Sequence, residues 1–169
     1  MKINSKLVKK LALEHGFDDC GICSSIPTNK DIIFFEKWVT SGKNAGMDYL
    51  TRNIEIRKNP AIMLPKAKTV ISLILSYNID AANQKYFISK YARGKDYHHV
   101  MKSKLKSFEQ KLINLYPDLK SRIFTDSAPV LERSFAREAG LGFIGKNTCL
   151  IHPKFGSFVF IGEIICDAE

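Results

Sequence analysis

Apolar positions recur along this chain in two alternating patterns: a helical one, spaced three and four apart, and short unbroken β-branched runs. Leu7, Val8, Leu11 and Ala12 predict a first helix, with Ser5 as its N-cap and Gly16 as its stop. The next segment, around 19–24, reads as a strand whose alternation sends Cys20 and Ile22 to one face and Gly21 and Cys23 to the other. Ile32, Ile33, Phe35, Trp38 and Val39 predict a second helix over 30–40, ended by Gly42. Residues 46–65 show little periodicity and read as short surface turns. The run 69–77 is the strongest central-strand signal. Asp96 is placed to cap a long helix carrying Val100, Met101, Leu105, Phe108, Leu112 and Leu115, closed by Pro117. A strand over 121–125 then leads into a helix begun at Pro129 and stopped at Gly140. Segments 148–151 and 157–166 read as a hairpin across His152 to Gly156. Together these predict one α/β (α+β) domain, a mixed β-sheet flanked by helices.

The 169 residues suit a single compact core. The longest apolar runs fall far short of the ~20 residues of a membrane helix. No signal-peptide pattern follows Met1, so no membrane association and a cytoplasmic location are expected.

Charge adds a partner class. The net charge is +9, and eight cations against two acids lie between Lys85 and Lys111, a surplus of six of the nine. Such a cluster attracts phosphate polyanions. It is equally the solvated face of a helix following a basic loop, and both readings stand.

The four cysteines include one C-x-x-C pair, Cys20 and Cys23. Zinc, redox exchange and plain core packing are the three readings. A redox pair normally caps a helix, whose dipole favours the thiolate, whereas this pair sits on a predicted strand. No second pair at zinc-finger spacing exists, so core packing is the better expectation. The adjacent His98 and His99 point about 100° apart on a helix and cannot share a metal, so no protein-bound metal is expected.

The densest chemistry runs from Thr125-Asp126-Ser127-Ala128-Pro129 to Gly140-Leu141-Gly142-Phe143-Ile144-Gly145-Lys146-Asn147. It is a strand ending in an acid, a proline-opened helix and a glycine-rich turn. Glycines let a backbone approach a bulky ligand, and open α/β sheets place their chemistry at strand ends. Asp126 is also a plausible N-cap. The glycines follow a helix, so they are not the dinucleotide fingerprint.

With Lys90-Tyr91-Ala92-Arg93-Gly94-Lys95-Asp96-Tyr97-His98, Phe155-Gly156-Ser157, Gly46-Met47-Asp48-Tyr49-Leu50, Arg57 with Pro60, and Leu64 to Val70, this stretch resembles the epoxyqueuosine reductases over nearly the whole chain. The resemblance implies cobalamin- and iron–sulfur-dependent reduction of an epoxide at the wobble position of tRNA, giving queuosine and water. It implies Asp126 as proton donor and cobalamin contacts at Arg57, Ser89, Asp126, Asn147, Leu150 and Ile161. Lys90, Arg93, Lys95, Tyr97 and His98 are the residues expected to face tRNA. The family binds cobalamin without a protein histidine on cobalt. It also continues into a ferredoxin-like domain with two 4Fe-4S clusters, whose cysteine pattern is missing here. Residues 1–169 are therefore expected to form the cobalamin-binding catalytic domain, inactive without that electron donor. The alternatives are a cobalamin carrier or RNA-binding module without a redox half, or a relative such as a reductive dehalogenase.

Overall fold

The computed structural model describes residues 1–27, 29–78, 88–126 and 128–169. Lys85 of the basic cluster and Ser127 of the acid-bearing motif lie outside them. The elements, in order, are α1 (Ser5–Glu14), β1 (Asp19–Ser24), α2 (Asn29–Thr40), α3 (Ile54–Lys58), β2 (Thr69–Ser76), α4 (Tyr97–Leu115), β3 (Ser121–Phe124), α5 (Glu132–Glu138), β4 (Phe143–Ile144), β5 (Leu150–Ile151) and β6 (Val159–Cys166). Single 3-10 turns lie at Asp48–Leu50, Pro60–Ile62 and Lys90–Ala92.

Four strands form the main sheet in the order β1-β2-β6-β3. The α/β character and flanking helices agree with expectation, but every pairing is antiparallel, so the sheet is not mixed. The reason is connectivity: no helix carries the chain back to start a neighbouring strand in the same direction. β2 and β6 run as the centre, Ile71 opposite Ile164 and Val70 opposite Ile165. Both faces of β2 are covered, which is why its sequence is a continuous apolar run.

Strand alternation divides the core in two. Cys20, Ile71, Leu73 and Ile164 pack under α1 and α4, against Val8, Met101, Leu105, Phe108 and Leu112. Each such buried side chain contributes roughly 1.5–3 kcal/mol. Gly162 of β6 lets α4 settle this closely, since a Cβ there would lie 2.7 Å from the Met101 sulfur. The opposite face packs under α5: Val70 and Ile165 meet Phe135, while Ile74 meets Ala136, Leu141 and Leu150. Among the described residues, no helix is long and apolar enough to cross a membrane.

Several local expectations are corrected. The cap of α1 is Asn4, whose side chain accepts the Leu7 N–H, and not Ser5. The segment 148–166 is no hairpin ladder: β5 pairs with β4, β6 pairs with β2 and β3, and only the bridge His152–Gly156 joins the two arms. The helix expected from Pro129 begins at Glu132, after an irregular turn. α2 forms as expected but buries none of its residues fully. Asp96 does cap α4, accepting the His98 N–H.

Candidate active site

The site is built where β3 runs out. Thr125 is fully buried and its hydroxyl donates to the Ile161 carbonyl at 3.2 Å, which pins the strand end to β6. Asp126 then turns into the left-handed region at φ 50°, a conformation aspartate tolerates better than most residues. Two partners hold it there. Its N–H donates to Glu132 Oε1 at 2.8 Å, and its carboxyl accepts the hydroxyl of Tyr97. Glu132 is the first residue of α5 and Tyr97 the first of α4, so two helix starts converge on one aspartate.

An aromatic row continues from Tyr97. Its ring stacks on Phe160, which in turn lies 4.4 Å from Tyr77 between centroids. Two clefts meet along this row, sharing Tyr77 and Phe160. The smaller, of about 160 Å³, is lined by Asp126, Glu132, Arg133, Cys149, Leu150 and Ile161, among others. The larger, of about 460 Å³, has Leu75 and Val100 in its walls and Lys90, Arg93, Lys95 and Lys104 around them.

The electrostatics are those of acids in a confined space. Burial, then the Asp126 charge, pushes the Glu132 carboxyl up to about 8. Burial and the Asp126 carboxyl also raise the Tyr97 phenol. Behind them Glu163 of β6 is completely buried, accepts only the Ser72 hydroxyl at 3.1 Å, and leaves its second oxygen without a partner among the described residues. Burial raises its carboxyl well above the ordinary range.

The structure brings Asp126, Leu150 and Ile161 together in the smaller cleft, and Lys90, Arg93, Lys95 and Tyr97 around the larger. Asn147 lines neither, but its side chain accepts the N–H of Cys149, which does. Ser89 is exposed beside Lys90. His98 packs against Tyr97, ring centroids 4.0 Å apart and tilted by 32°, and bonds back to Asp96 at 2.9 Å, outside both clefts. Arg57 also lines neither. Its guanidinium is buried 5.3 Å over the Phe35 ring, with Nη1 unpartnered among the described residues.

Glu132, Tyr77, Phe160 and Arg133 were not foreseen. An acid in the first turn of a helix is an ordinary N-terminal feature, and only the irregular turn after Asp126 lets Glu132 reach back to that N–H. Arg133 donates to the Thr148 carbonyl at 2.8 Å and so fixes the glycine turn against α5.

The C-x-x-C pair is divided by the sheet as alternation predicts, Cys20 beneath α1 and α4 and Cys23 toward α5. Burial pushes both thiols up to about 12, as suits core packing.

Comparison with known proteins adds an independent finding. The family profile described as "Epoxyqueuosine reductase QueG, DUF1730" matches residues 57–127. A curated epoxyqueuosine reductase of Leadbetterella byssophila is 41% identical over 171 residues, covering 99% of this chain and 56% of that protein. The epoxyqueuosine reductase structure from Streptococcus thermophilus superimposes with a TM-score of 0.88 at 29% identity, over 99% of this chain and 47% of that one. A further epoxyqueuosine reductase structure, solved with an epoxyqueuosine-modified tRNA-Tyr stem loop, gives a TM-score of 0.85 at 26% identity, over 96% of this chain and 44% of that one. The chain spans about half the length of the relatives it matches. On profile, sequence and fold alike, the chain matches about half of an epoxyqueuosine reductase.

Proposed function

We propose that this chain is the cofactor- and substrate-binding part of a cobalamin-dependent epoxyqueuosine reductase acting on tRNA. The observation that carries the reading is the placement of Asp126. It stands in the wall of the smaller cleft, while Tyr97, bonded to its carboxyl, stands in the wall of the larger. A carboxyl bonded to a phenol thus sits at the junction of two spaces, one with an apolar wall and one rimmed by cations. The relatives carry the name of this activity, and one neighbour was solved with the modified tRNA stem loop.

The residues present fit a macrocycle with apolar faces and polar margins. Leu150 and Ile161 give an apolar wall, and the Tyr97–Phe160–Tyr77 row adds aromatic surface. Asn147 and Ser89 would meet polar margins, and the unpartnered Nη1 of Arg57 is a donor for an amide or phosphate. Cobalamin, when bound, supplies the low-potential electron chemistry that opens the epoxide, and a 4Fe-4S domain outside this chain supplies the electrons.

The chain's own residues position substrate and manage protons. Lys90, Arg93 and Lys95 draw in the phosphate backbone, with Tyr97 and His98 at the edge as a stacking surface for bases. Asp126 gives its proton to the oxygen as the carbon–oxygen bond opens. A tRNA substrate puts the protein in the cytoplasm.

The test is Asp126→Asn. Titration of the chain with cob(II)alamin should still move the cofactor spectrum toward its base-off form. With a reduced iron–sulfur donor and epoxyqueuosine-tRNA, turnover should fall by ~10²–10⁴. Full turnover by the variant removes the acid role, and a flat titration of the wild-type chain removes the cofactor assignment.

A further inference from the structure

Asp126 does not stand alone in its cleft. Glu132 lines the same space and takes the Asp126 N–H at 2.8 Å, which sets its carboxyl beside the Asp126 charge. Two carboxylates crowded into one cleft repel, so the pair keeps one proton. The Tyr97 hydroxyl already occupies the far side of Asp126.

We propose that Glu132 is the proton reservoir behind Asp126, holding a proton that it passes through the Asp126 carboxyl to the oxygen leaving the substrate. The proposal rests on the functional reading above and adds a residue to it. Reduction of an epoxide to an alkene and water takes two electrons and two protons, and both protons end on the departing oxygen. The electrons come from the reduced iron–sulfur donor. With one proton in the pair, each transfer to the oxygen leaves both groups ionised, and the pair must be recharged before the second transfer. Glu132 gives its proton to the Asp126 carboxylate and becomes a carboxylate itself, and water reaching the cleft restores it. Because Glu132 acts through Asp126, it is a positioning and supply residue that touches no substrate.

The surroundings suit a reservoir. The charged and titratable groups facing Glu132 are Asp126 from the loop after β3, Tyr97 from α4, Glu163 from β6 and Arg133 on α5 itself. The Arg133 guanidinium donates to Thr148. Glu163 is enclosed, and burial raises its carboxyl too. Burial and the Asp126 charge keep the Glu132 proton in place up to about 8.

Carboxyl-carbon NMR of the chain, labelled at aspartate and glutamate and followed through pH, tests this directly. The Glu132 resonance, assigned by its loss in Glu132→Gln, should titrate above neutrality and move down in Asp126→Asn. Titration near the ordinary carboxylate range, about 4, or no response to Asp126→Asn, overturns the proposal. Glu132→Gln keeps an oxygen acceptor for the Asp126 N–H, so the fold should persist, checked by circular dichroism. In the reductase assay it should lower kcat by about 10²-fold, the low end of a proton donor's contribution, with KM unchanged. Wild-type kcat in Glu132→Gln at all pH values also overturns it. A chain that shows the shared proton but reduces no epoxide sinks the functional reading and leaves the carboxyl pair standing, so the two failures are distinguishable.

Discussion

The rings of Tyr97 and Phe160 lie parallel, 3° between planes and 4.1 Å between centroids, so the phenol that bonds Asp126 is clamped by the sheet. A hydroxyl at the start of a helix thereby acquires a fixed direction, and the Asp126 carboxyl inherits it. Pre-orientation of this kind raises the fraction of encounters in which a proton donor is already aligned.

Tyr97→Phe should keep the stack and lose the bond. Stability in urea should change little, because the ring remains in place. Turnover should fall by roughly 10–100-fold, matching the ~1.5–3 kcal/mol of a hydrogen bond to a charged group. Steady-state kinetics on epoxyqueuosine-tRNA would check it, and an unchanged kcat would show that Asp126 is aligned by other means.

Gly142→Ala should destabilise the chain. Gly142 has φ 155°, and a Cβ there would lie 2.2 Å from the Ile151 carbonyl oxygen. Relief requires β4 and β5 to part, which moves Leu150 out of the cleft wall. A loss of about 1–3 kcal/mol is expected from such overpacking. Urea unfolding monitored by Trp38 fluorescence would measure it.

Glu163→Gln should flatten the dependence of stability on pH. Glu163 and Glu132 both have folded-state values raised above those of the unfolded chain, so the folded state binds more protons. Stability is then greatest below the unfolded carboxyl range near 4 and falls as pH rises, for Glu132 until about 8. With Gln at 163 its part of that fall disappears, and the variant gains on wild type from pH 5 to 8. A difference between the two that stays constant over this range would mean that Glu163 is not held neutral.

Much of this architecture was legible in sequence because it depends on local pattern. The unbroken run of β2 announced a strand buried on both faces, and the Met101–Leu105–Phe108–Leu112 stripe announced the buried side of α4. Asp96 and Gly16 marked helix ends for reasons of backbone hydrogen bonding alone. The hairpin expected around His152 failed because antiparallel neighbours close in sequence are only the default. His152 is instead held by Asp19 of β1 at 3.0 Å, and its ring accepts from the Lys154 and Phe155 backbones.

Periodicity, caps and a resemblance spread through the chain were enough to determine the α/β class, the central strand and the likeness to epoxyqueuosine reductases, and they singled out Asp126 as a candidate. Tertiary structure alone decided what surrounds that aspartate. Glu132, Tyr97 and Phe160 stand 6, 29 and 34 positions away from it in sequence, and no local pattern relates them. They meet because strand order and helix packing bring separate segments to one point, and the proton-holding properties of Glu132 and Glu163 arise only once that packing excludes water.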